Sequence, residues 1–277
     1  MPSYRTIIHR PFLSPELQTQ LARFGRLQSR SGYWLLEHAS PLVLETLRRE
    51  LGCDVNTLPL DFAPEKTRLV VTDLDSTLVA IETIDELAAV LGLRDQVSAI
   101  TARAMAGELD FVAALKERVA LLEGLPQEVL ERVFTEKMKP AIQPGAQATL
   151  AWLKQRGIAT AVVSGGFTFF TERLQKTLPI DSSLACQLEV RDGRLTGKLI
   201  GQIVDKYAKA EFLKDLARRL RISLEQTVAV GDGANDVLML ELAGLGVAYR
   251  AHAIARERAS VLIDYGDWHD LRYLLAP

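Results

Sequence analysis

Two aspartates stand two residues apart directly after an apolar run. The run 68–72 leads into Asp73, and Asp75 follows after a single leucine. In an extended chain, side chains two residues apart point the same way, so both carboxylates would face one site. Close carboxylates repel each other unless a cation lies between them, and Mg²⁺ prefers such oxygen ligands. The pair therefore predicts a magnesium site, the alternative being that Asp75 only caps a following helix.

A second acidic motif follows another apolar run. Residues 230–236 read Val-Gly-Asp-Gly-Ala-Asn-Asp, so Asp232 and Asp236 lie among glycines that let the backbone pass close to a ligand. Alone, the segment could be a glycine-rich turn with an acid in the first turn of a helix, where an anion is favourable. Such a turn does not explain why Asp73, Asp232 and Asp236 would gather at two strand ends. We expect them to share one Mg²⁺ ion.

A third polar motif, Ser164-Gly165-Gly166, is predicted to link a strand to a helix. A hydroxyl group and free backbone N–H groups at a helix N-terminus can bind an anion, although a plain turn has the same sequence. Lys209 could add a positive charge for a phosphate, although most lysines are simply solvated. Neither signal is specific alone, and both residue sets are candidates for binding an anion beside the acids.

The elements that position these motifs form an alternating pattern. Apolar runs typical of buried strands alternate with helical patterns, which predicts an α/β fold with a doubly wound parallel sheet, a Rossmann-type core, over residues 67–277. Ligands bind beyond the carboxyl ends of the strands in such sheets. Residues 84–139 have helical patterns without a strand candidate, so we expect a helical cap inserted after the first core strand. Asp192-Gly193 predicts a tight hairpin.

The first 66 residues have a different pattern and predict a small α+β unit. Residues 4–8 and 32–36 are typical of strands, and Ser14-Pro15 and Ser40-Pro41 are typical helix starts. Residues 58–66 contain two prolines and no periodicity, which predicts a linker. The unit has few apolar residues for a core of its own, so we expect it to pack on the larger unit or on a second subunit, as in a homodimer.

The composition excludes several classes of protein. Of the 277 residues, 48% are hydrophobic and 25% charged, and the net charge of −2 gives no basic surface for nucleic acid. No apolar stretch approaches the roughly 20 residues that span a bilayer, so we expect no membrane partner and a cytoplasmic location. The two cysteines, Cys53 and Cys186, are too far apart in sequence to indicate a zinc site or a disulfide framework.

In this order along the chain, the motifs resemble those of the haloacid dehalogenase (HAD) superfamily of phosphatases, and within it the phosphoserine phosphatase family. The resemblance extends over about residues 68–265. Its motifs are Asp-Leu-Asp-Ser-Thr at 73–77, Glu-Thr-Ile-Asp-Glu at 82–86, Ala-Met-Ala-Gly-Glu-Leu-Asp-Phe at 104–111, Arg-Val at 118–119, Ser-Gly-Gly-Phe-Thr-Phe-Phe at 164–170, Lys209, and Gly-Asp-Gly-Ala-Asn-Asp at 231–236.

This resemblance implies a reaction and a metal, Mg²⁺. Asp73 is expected to be the nucleophile that becomes a phosphoaspartate, and Asp75 the acid that protonates the leaving serine oxygen and then the base for water. Asp73, the backbone carbonyl of Asp75, and Asp232 are expected to bind Mg²⁺, with Asp236 in support.

The resemblance also implies L-phosphoserine, a small molecule, as the substrate. Glu82 is expected to meet its ammonium group and Arg118 its carboxylate. The residues expected to hold the phosphoryl group are Ser164, Gly165, Lys209 and Asn235. Met105 and Phe111 are expected to shape the pocket under the cap.

Two alternatives remain open at this point. One is a phosphatase of the same fold for phosphothreonine or another small phosphomonoester. The other is a regulatory protein on a degenerate phosphatase fold, although such a protein would normally lack the acids that are present here. The sequence departs from the family pattern at Ala114, where a serine is common, and at Ala251-His252-Ala253, where Ala-Lys-Pro is usual.

Overall fold

The N-terminal part of the chain forms a sheet of its own. The computed structural model describes residues 4–105 and 108–276. Four antiparallel strands lie in the order β2-β3-β1-β4, and two short helices pack on one face in a split β-α-β arrangement. The elements are β1 (Tyr4–Ile8), α1 (Pro15–Leu21), β2 (Gly25–Ser29), β3 (Trp34–His38), α2 (Leu44–Leu51) and β4 (Val55–Thr57).

This part differs from the prediction in its strands, in the start of α2 and in the linker, and the strand predicted at residues 32–36 is β3, two residues later. The strands β2 and β4 were not expected, because one is an edge strand and the other has only three residues. Helix α2 begins at Leu44 rather than next to Pro41, because Val43 is still extended. The predicted linker contains a 3₁₀ turn at Pro64–Lys66 and two side chains, Leu58 and Phe62, that are buried in the main core.

Seven strands form the main sheet, in the order β11-β10-β9-β5-β6-β7-β8. Neighbouring strands are parallel except β7 and β8, which form the expected hairpin at Asp192 and Gly193. This confirms the α/β fold with a mostly parallel sheet. The strands are β5 (Leu69–Thr72), β6 (Ala159–Phe167), β7 (Ser182–Arg191), β8 (Arg194–Ile200), β9 (Thr227–Gly231), β10 (Leu245–Tyr249) and β11 (Val261–Ile263).

A helical cap follows β5, as expected. The chain enters and leaves the cap side by side, because Val79 bridges Ile142 and the Ala80 N–H donates to the Ala141 carbonyl at 2.8 Å. The cap therefore has its base at the carboxyl end of β5. Its helices are α3 (Thr83–Val90), α4 (Arg94–Met105), α5 (Phe111–Ala120) and α6 (Glu128–Val133), followed by a π turn (Phe134–Met138) and a 3₁₀ turn (Lys139–Ala141).

Within the described residues, six further helices accompany the main sheet. Among the described residues, no helix is both long and apolar enough to cross a membrane. The helices are α7 (Ala146–Gln155), α8 (Thr168–Thr177), α9 (Lys206–Leu220), α10 (Val237–Leu242), α11 (Ala253–Arg258) and α12 (Leu271–Leu275), with 3₁₀ turns at Leu224–Gln226 and Trp268–Asp270.

The N-terminal sheet packs on the β11 edge of the main sheet. Buried Asn56 of β4 acts like a neighbouring strand, because its side chain accepts from the Leu262 N–H at 2.9 Å and donates to the Leu262 carbonyl at 2.7 Å. Tyr33 donates to the Ala276 carbonyl at 2.7 Å. One apolar core contains residues of both sheets, such as Ile7 and Val261. The division into domains at residues 66 and 67 stays a prediction.

The Asn56 contact gives a stability prediction. Asn56→Ala would leave the buried Leu262 N–H and carbonyl without their partner, so we expect it to lower the free energy of unfolding by about 2–6 kcal/mol, from about 1–3 kcal/mol for each of the two unsatisfied groups. Urea denaturation at 25 °C measures this. Thr19→Ala, on the exposed face of α1, is the control and should change stability by less than about 0.5 kcal/mol. Equal free energies of unfolding for the two variants would show that the Asn56–Leu262 hydrogen bonds do not stabilise the protein.

Candidate active site

Three aspartates meet at the carboxyl edge of the main sheet. Asp73 follows β5, and Asp232 and Asp236 follow β9. Strands β5 and β9 are parallel neighbours in which Thr72 pairs with Val230, so both strands end at the same level. One carboxylate oxygen from each aspartate lies within 4.8 Å of the other two, and all three residues are buried. The predicted convergence of the two acidic motifs is therefore present.

Lys209 is the buried counterion of this cluster. It lies in the first turn of α9, which Asp205 caps by accepting from the Tyr207 and Ala208 N–H groups. Its ammonium group donates to Asp73 Oδ1 at 2.6 Å and to Asp236 Oδ1 at 2.7 Å. Burial alone would lower the pKa of Lys209, but these two carboxylates raise it above its usual value. The lysine is therefore charged at any physiological pH.

One ammonium group does not balance three carboxylates. Burial and then the charge of Asp236 raise the pKa of Asp73 well above its usual range, in spite of Lys209. The same two causes raise the pKa of Asp232 to about 6. A hard divalent cation prefers carboxylate oxygens and would offset the excess negative charge. The donor set therefore fits a divalent metal.

Asp75 is held by groups on two sides of the site. Its Oδ1 accepts from the Thr83 N–H at 2.9 Å and from the Thr83 hydroxyl, and its Oδ2 accepts from the Ser164 hydroxyl at 3.4 Å. Burial and then the charge of Glu82 raise the pKa of Asp75 to about 7, although the bonds from Thr83 lower it. This carboxyl group can therefore both give and take a proton near neutral pH.

The Ser164-Gly165-Gly166 segment lies at the carboxyl end of β6. The strand continues to Phe167, beyond the predicted end at Ser164, with a register shift against β7 between these two residues. The Ser164 hydroxyl accepts from the Gly166 N–H at 2.8 Å. A Cβ atom on Gly166 would lie 2.7 Å from Asp75 Oδ2, so only glycine allows this approach. The segment thus brings backbone and hydroxyl groups next to the acids.

Glu82 and Arg118 come from the cap and line the same cavity as the acids. The cavity has a volume of about 350 Å³. Ser76, which has a positive φ of 56°, donates from its hydroxyl to Glu82 Oε1 at 2.7 Å. Arg118 donates from Nε to the Ala114 carbonyl at 3.3 Å, the only hydrogen bond of its side chain within residues 4–105 and 108–276. Its terminal nitrogens are therefore available to a ligand.

The other predicted pocket residues are placed as follows. Phe111 begins α5 and packs on the backbone of Gly165, where a Cβ atom would lie 2.8 Å from the phenyl ring. Asn235 lines the cavity beside the acids. Met105 ends α4, and its side chain lies outside the described part of the structure. Every other predicted site residue lines the cavity or bonds to a residue that does.

Three residues without a predicted role also lie at the site. Buried Thr77 donates from its hydroxyl to Asp232 Oδ1 at 2.9 Å, and Thr83 binds Asp75. His252 lines the cavity, and its N–H donates to the Asp232 carbonyl at 2.9 Å. Thr77 and Thr83 lie within the recognised motifs, but a sequence does not show which acceptor a buried hydroxyl finds.

Known proteins share this sequence pattern and fold. A phosphoserine phosphatase of Archaeoglobus fulgidus is 47% identical over 220 residues, which are 78% of this chain but 63% of that protein, so the chain spans less than two thirds of its relative. A HAD family hydrolase from Salmonella enterica serovar Typhi has a TM-score of 0.89 at 32% identity and covers 100% of this chain and 99% of its own.

A third protein is similar over about three quarters of the chain. It is a phosphoserine phosphatase solved as a phospho-aspartyl intermediate analogue, with a TM-score of 0.68 at 42% identity, covering 76% of this chain and 97% of its own. The model of the haloacid dehalogenase-like hydrolase family matches residues 70–241, which include the three aspartates, Lys209 and the cap. The chain therefore belongs to the haloacid dehalogenase-like hydrolases.

Proposed function

We propose that this chain is a phosphatase that hydrolyses L-phosphoserine to L-serine and inorganic phosphate. The observation that carries the proposal is the cavity in which Glu82 and Arg118 of the cap face the carboxylates of the sheet edge. Phosphoserine has a phosphate at one end and an ammonium and a carboxylate group at the other. An acid and an arginine match the second end, since arginine binds carboxylates with two hydrogen bonds. The similarity to phosphoserine phosphatases supports this substrate.

The phosphate would lie at the edge of the main sheet. Ser164, the backbone of Gly165 and the ammonium group of Lys209 would bind its oxygens, with Asn235 beside them. Lys209 already donates to Asp73, so its charge is next to the proposed reacting atom. Phosphoryl transfer depends mainly on positioning and on stabilising the charge of the transferring group, and a fixed ammonium group contributes to both.

The reaction would proceed in two displacements. First, a carboxylate oxygen of Asp73 attacks phosphorus, and the bond from phosphorus to the serine oxygen breaks while Asp75 protonates that oxygen. Then Asp75 takes a proton from a water molecule whose oxygen attacks phosphorus, and the bond to Asp73 breaks. A pKa of about 7 suits Asp75 for both steps, because a serine alkoxide is a poor leaving group without a proton.

A divalent ion, which we propose to be Mg²⁺, would be bound by Asp73, Asp232 and the main-chain carbonyl of Asp75. Asp236 would support it from the position in which it accepts from Lys209 and from the Gly233 N–H at 3.0 Å. When bound, the ion supplies positive charge against the carboxylates and the phosphate. A cytoplasmic location and a homodimer stay predictions.

The first functional prediction concerns the nucleophile. Asp73→Asn keeps the size of the side chain but removes its negative charge, so we expect phosphate release from phosphoserine to fall at least about 1,000-fold, because no acyl phosphate can form. A colorimetric phosphate assay measures the rate, and circular dichroism checks the fold. Clear residual turnover by folded Asp73→Asn would exclude the covalent route.

The second prediction concerns the metal. We expect a chelator to stop phosphate release and Mg²⁺ to restore it. An ion that binds only the folded state also stabilises that state, by about 2.7 kcal/mol when the free ion concentration is 100 times the Kd. Mg²⁺ should therefore raise the Tm of the wild type and of the control Asp215→Asn on the surface of α9, but not of Asp232→Asn. An unchanged Tm of the wild type in saturating Mg²⁺ would contradict the assignment.

The third prediction concerns specificity. Removing one partner of a charged contact under a cap costs ~2–5 kcal/mol, so Arg118→Ala should lower kcat/KM for phosphoserine about 30-fold or more. p-Nitrophenyl phosphate has no carboxylate group, and its turnover should hardly change. Arg103→Ala, on the cap surface, is the matched control and should affect neither substrate. Equal losses of kcat/KM on both substrates would show that Arg118 has a structural role. If the wild type preferred phosphothreonine, the proposed substrate would be phosphothreonine instead of phosphoserine.

A further inference from the structure

A buried tryptophan from the C-terminal segment binds the loop that follows Asp73. The side chain of Trp268 is 1% exposed, and its indole Nε1–H donates to the Thr77 carbonyl at 2.9 Å. The main chain of Trp268 is fixed as well: its N–H donates to the Pro144 carbonyl at 3.1 Å, and its carbonyl accepts from the Thr149 hydroxyl at 2.9 Å. The indole therefore has a rigid base from which to hold the loop.

Thr77 connects Trp268 to Asp232, one of the candidate metal ligands. Its hydroxyl donates to Asp232 Oδ1 at 2.9 Å, and the residue is completely buried. The preceding residue, Ser76, has a φ of 56°, in the left-handed region that a non-glycine residue adopts only when its surroundings hold it there. The backbone after Asp75 therefore has to be held by neighbouring groups. Trp268 holds it through the hydrogen bond to the carbonyl of Thr77, the residue whose hydroxyl orients Asp232.

The N-terminal unit in turn fixes the segment that leads to Trp268. Asp54, which is completely buried, accepts three backbone N–H groups from that segment. Its Oδ1 accepts from Asp264 at 2.9 Å, and its Oδ2 accepts from Tyr265 at 3.0 Å and from Gly266 at 2.9 Å. Three bonds to one carboxylate define the path of the chain directly before Trp268. No residue of the proposed reaction takes part in this contact.

We propose that Trp268 is a positioning residue for the active-site loop, and that Asp54 of the N-terminal unit holds Trp268 in place. The contacts run in series from Asp54 through residues 264–266 to Trp268, then through Thr77 to Asp232. The effect on turnover rests on the proposed hydrolysis of phosphoserine, whereas the effect on Mg²⁺ affinity rests only on the proposed metal site and not on the substrate. The N-terminal unit is thereby part of the support of the active site, although it lies outside the cavity.

The series predicts which quantities change. Without the indole N–H, the Thr77 carbonyl loses its buried donor and the Thr77 hydroxyl no longer holds Asp232 at one position. Mg²⁺ affinity and kcat should then fall. KM should change little, because Glu82 and Arg118 bind the substrate from the cap. A residue that only stabilises the fold would lower the Tm and leave these quantities unchanged at 25 °C.

Three single variants and one double variant test the proposal in the full chain. Trp268→Phe keeps an aromatic ring but removes the N–H group, and Asp54→Asn keeps the size of the carboxylate but only one acceptor oxygen. Tyr33→Phe is the control, because it removes a bond from the N-terminal unit to the Ala276 carbonyl, beyond the series. For each variant, calorimetric titration with Mg²⁺ alone gives the Kd, and phosphate release gives kcat and KM.

We expect Trp268→Phe to lower kcat about tenfold and to raise the Kd for Mg²⁺ at least about threefold, with KM within about twofold, as for the loss of one buried hydrogen bond. Asp54→Asn should act in the same direction, and it decides the question if Trp268→Phe does not fold. Because the two residues act in series, the double variant should be no slower than Trp268→Phe. Tyr33→Phe should retain the wild-type kcat and Kd.

Three results would overturn the proposal. The first is that folded Trp268→Phe and Asp54→Asn keep the wild-type Kd for Mg²⁺ and the wild-type kcat. The second is that Tyr33→Phe loses as much Mg²⁺ affinity and kcat as they do. The third is that the kcat losses of the two single variants multiply in the double variant. If the wild type released no phosphate from phosphoserine, the proposed function would fail while the Mg²⁺ titration still decided this proposal.

Discussion

Three buried carboxylates share the carboxyl edge of the main sheet with a single buried ammonium group. Lys209 lies 2.6 Å from Asp73 and 2.7 Å from Asp236, while Asp232 accepts from Thr77. Charges are costly in a buried site unless they are paired, so the excess negative charge must be balanced for the arrangement to be stable. A divalent cation would balance it. The cation and the lysine together would then make the edge attractive to a phosphate, which the carboxylates alone would repel.

The topology explains how one edge carries all of this chemistry. Strand β5 lies between β6 and β9, so the loops after these three strands are neighbours although their residues are far apart in sequence. The cap begins and ends beside β5, where Val79 pairs with Ile142, so Glu82 is tied to the same edge. In the proposed function, the sheet would supply the reacting groups and the cap would supply groups for recognition. The family match over residues 70–241 includes the cap, the strands β6 and β9 and all but the first residue of β5, and it does not include the N-terminal sheet.

The sequence was sufficient to predict the fold class and the convergence of the acids, because Asp73 and Asp232 each directly follow an apolar strand. The contacts that orient these groups were not predictable in the same way. Trp268 binds the Thr77 carbonyl across 191 residues, and Asp54 binds the Asp264 N–H across 210. A backbone partner leaves no pattern in the side chains, so such contacts appear only in the structure. Short strands such as β4 were missed because three residues show no clear period.

The proposed mechanism requires that Asp73 receives the phosphoryl group beside a cation held by the acids. A crystal structure of the protein with Mg²⁺ and beryllium fluoride, which mimics a phosphoryl group on a carboxylate, would test this requirement. We expect beryllium to be bonded to a carboxylate oxygen of Asp73 and a metal ion to be in contact with Asp73 and Asp232. Beryllium fluoride on another residue, or a metal ion bound away from these carboxylates, would refute this mechanism.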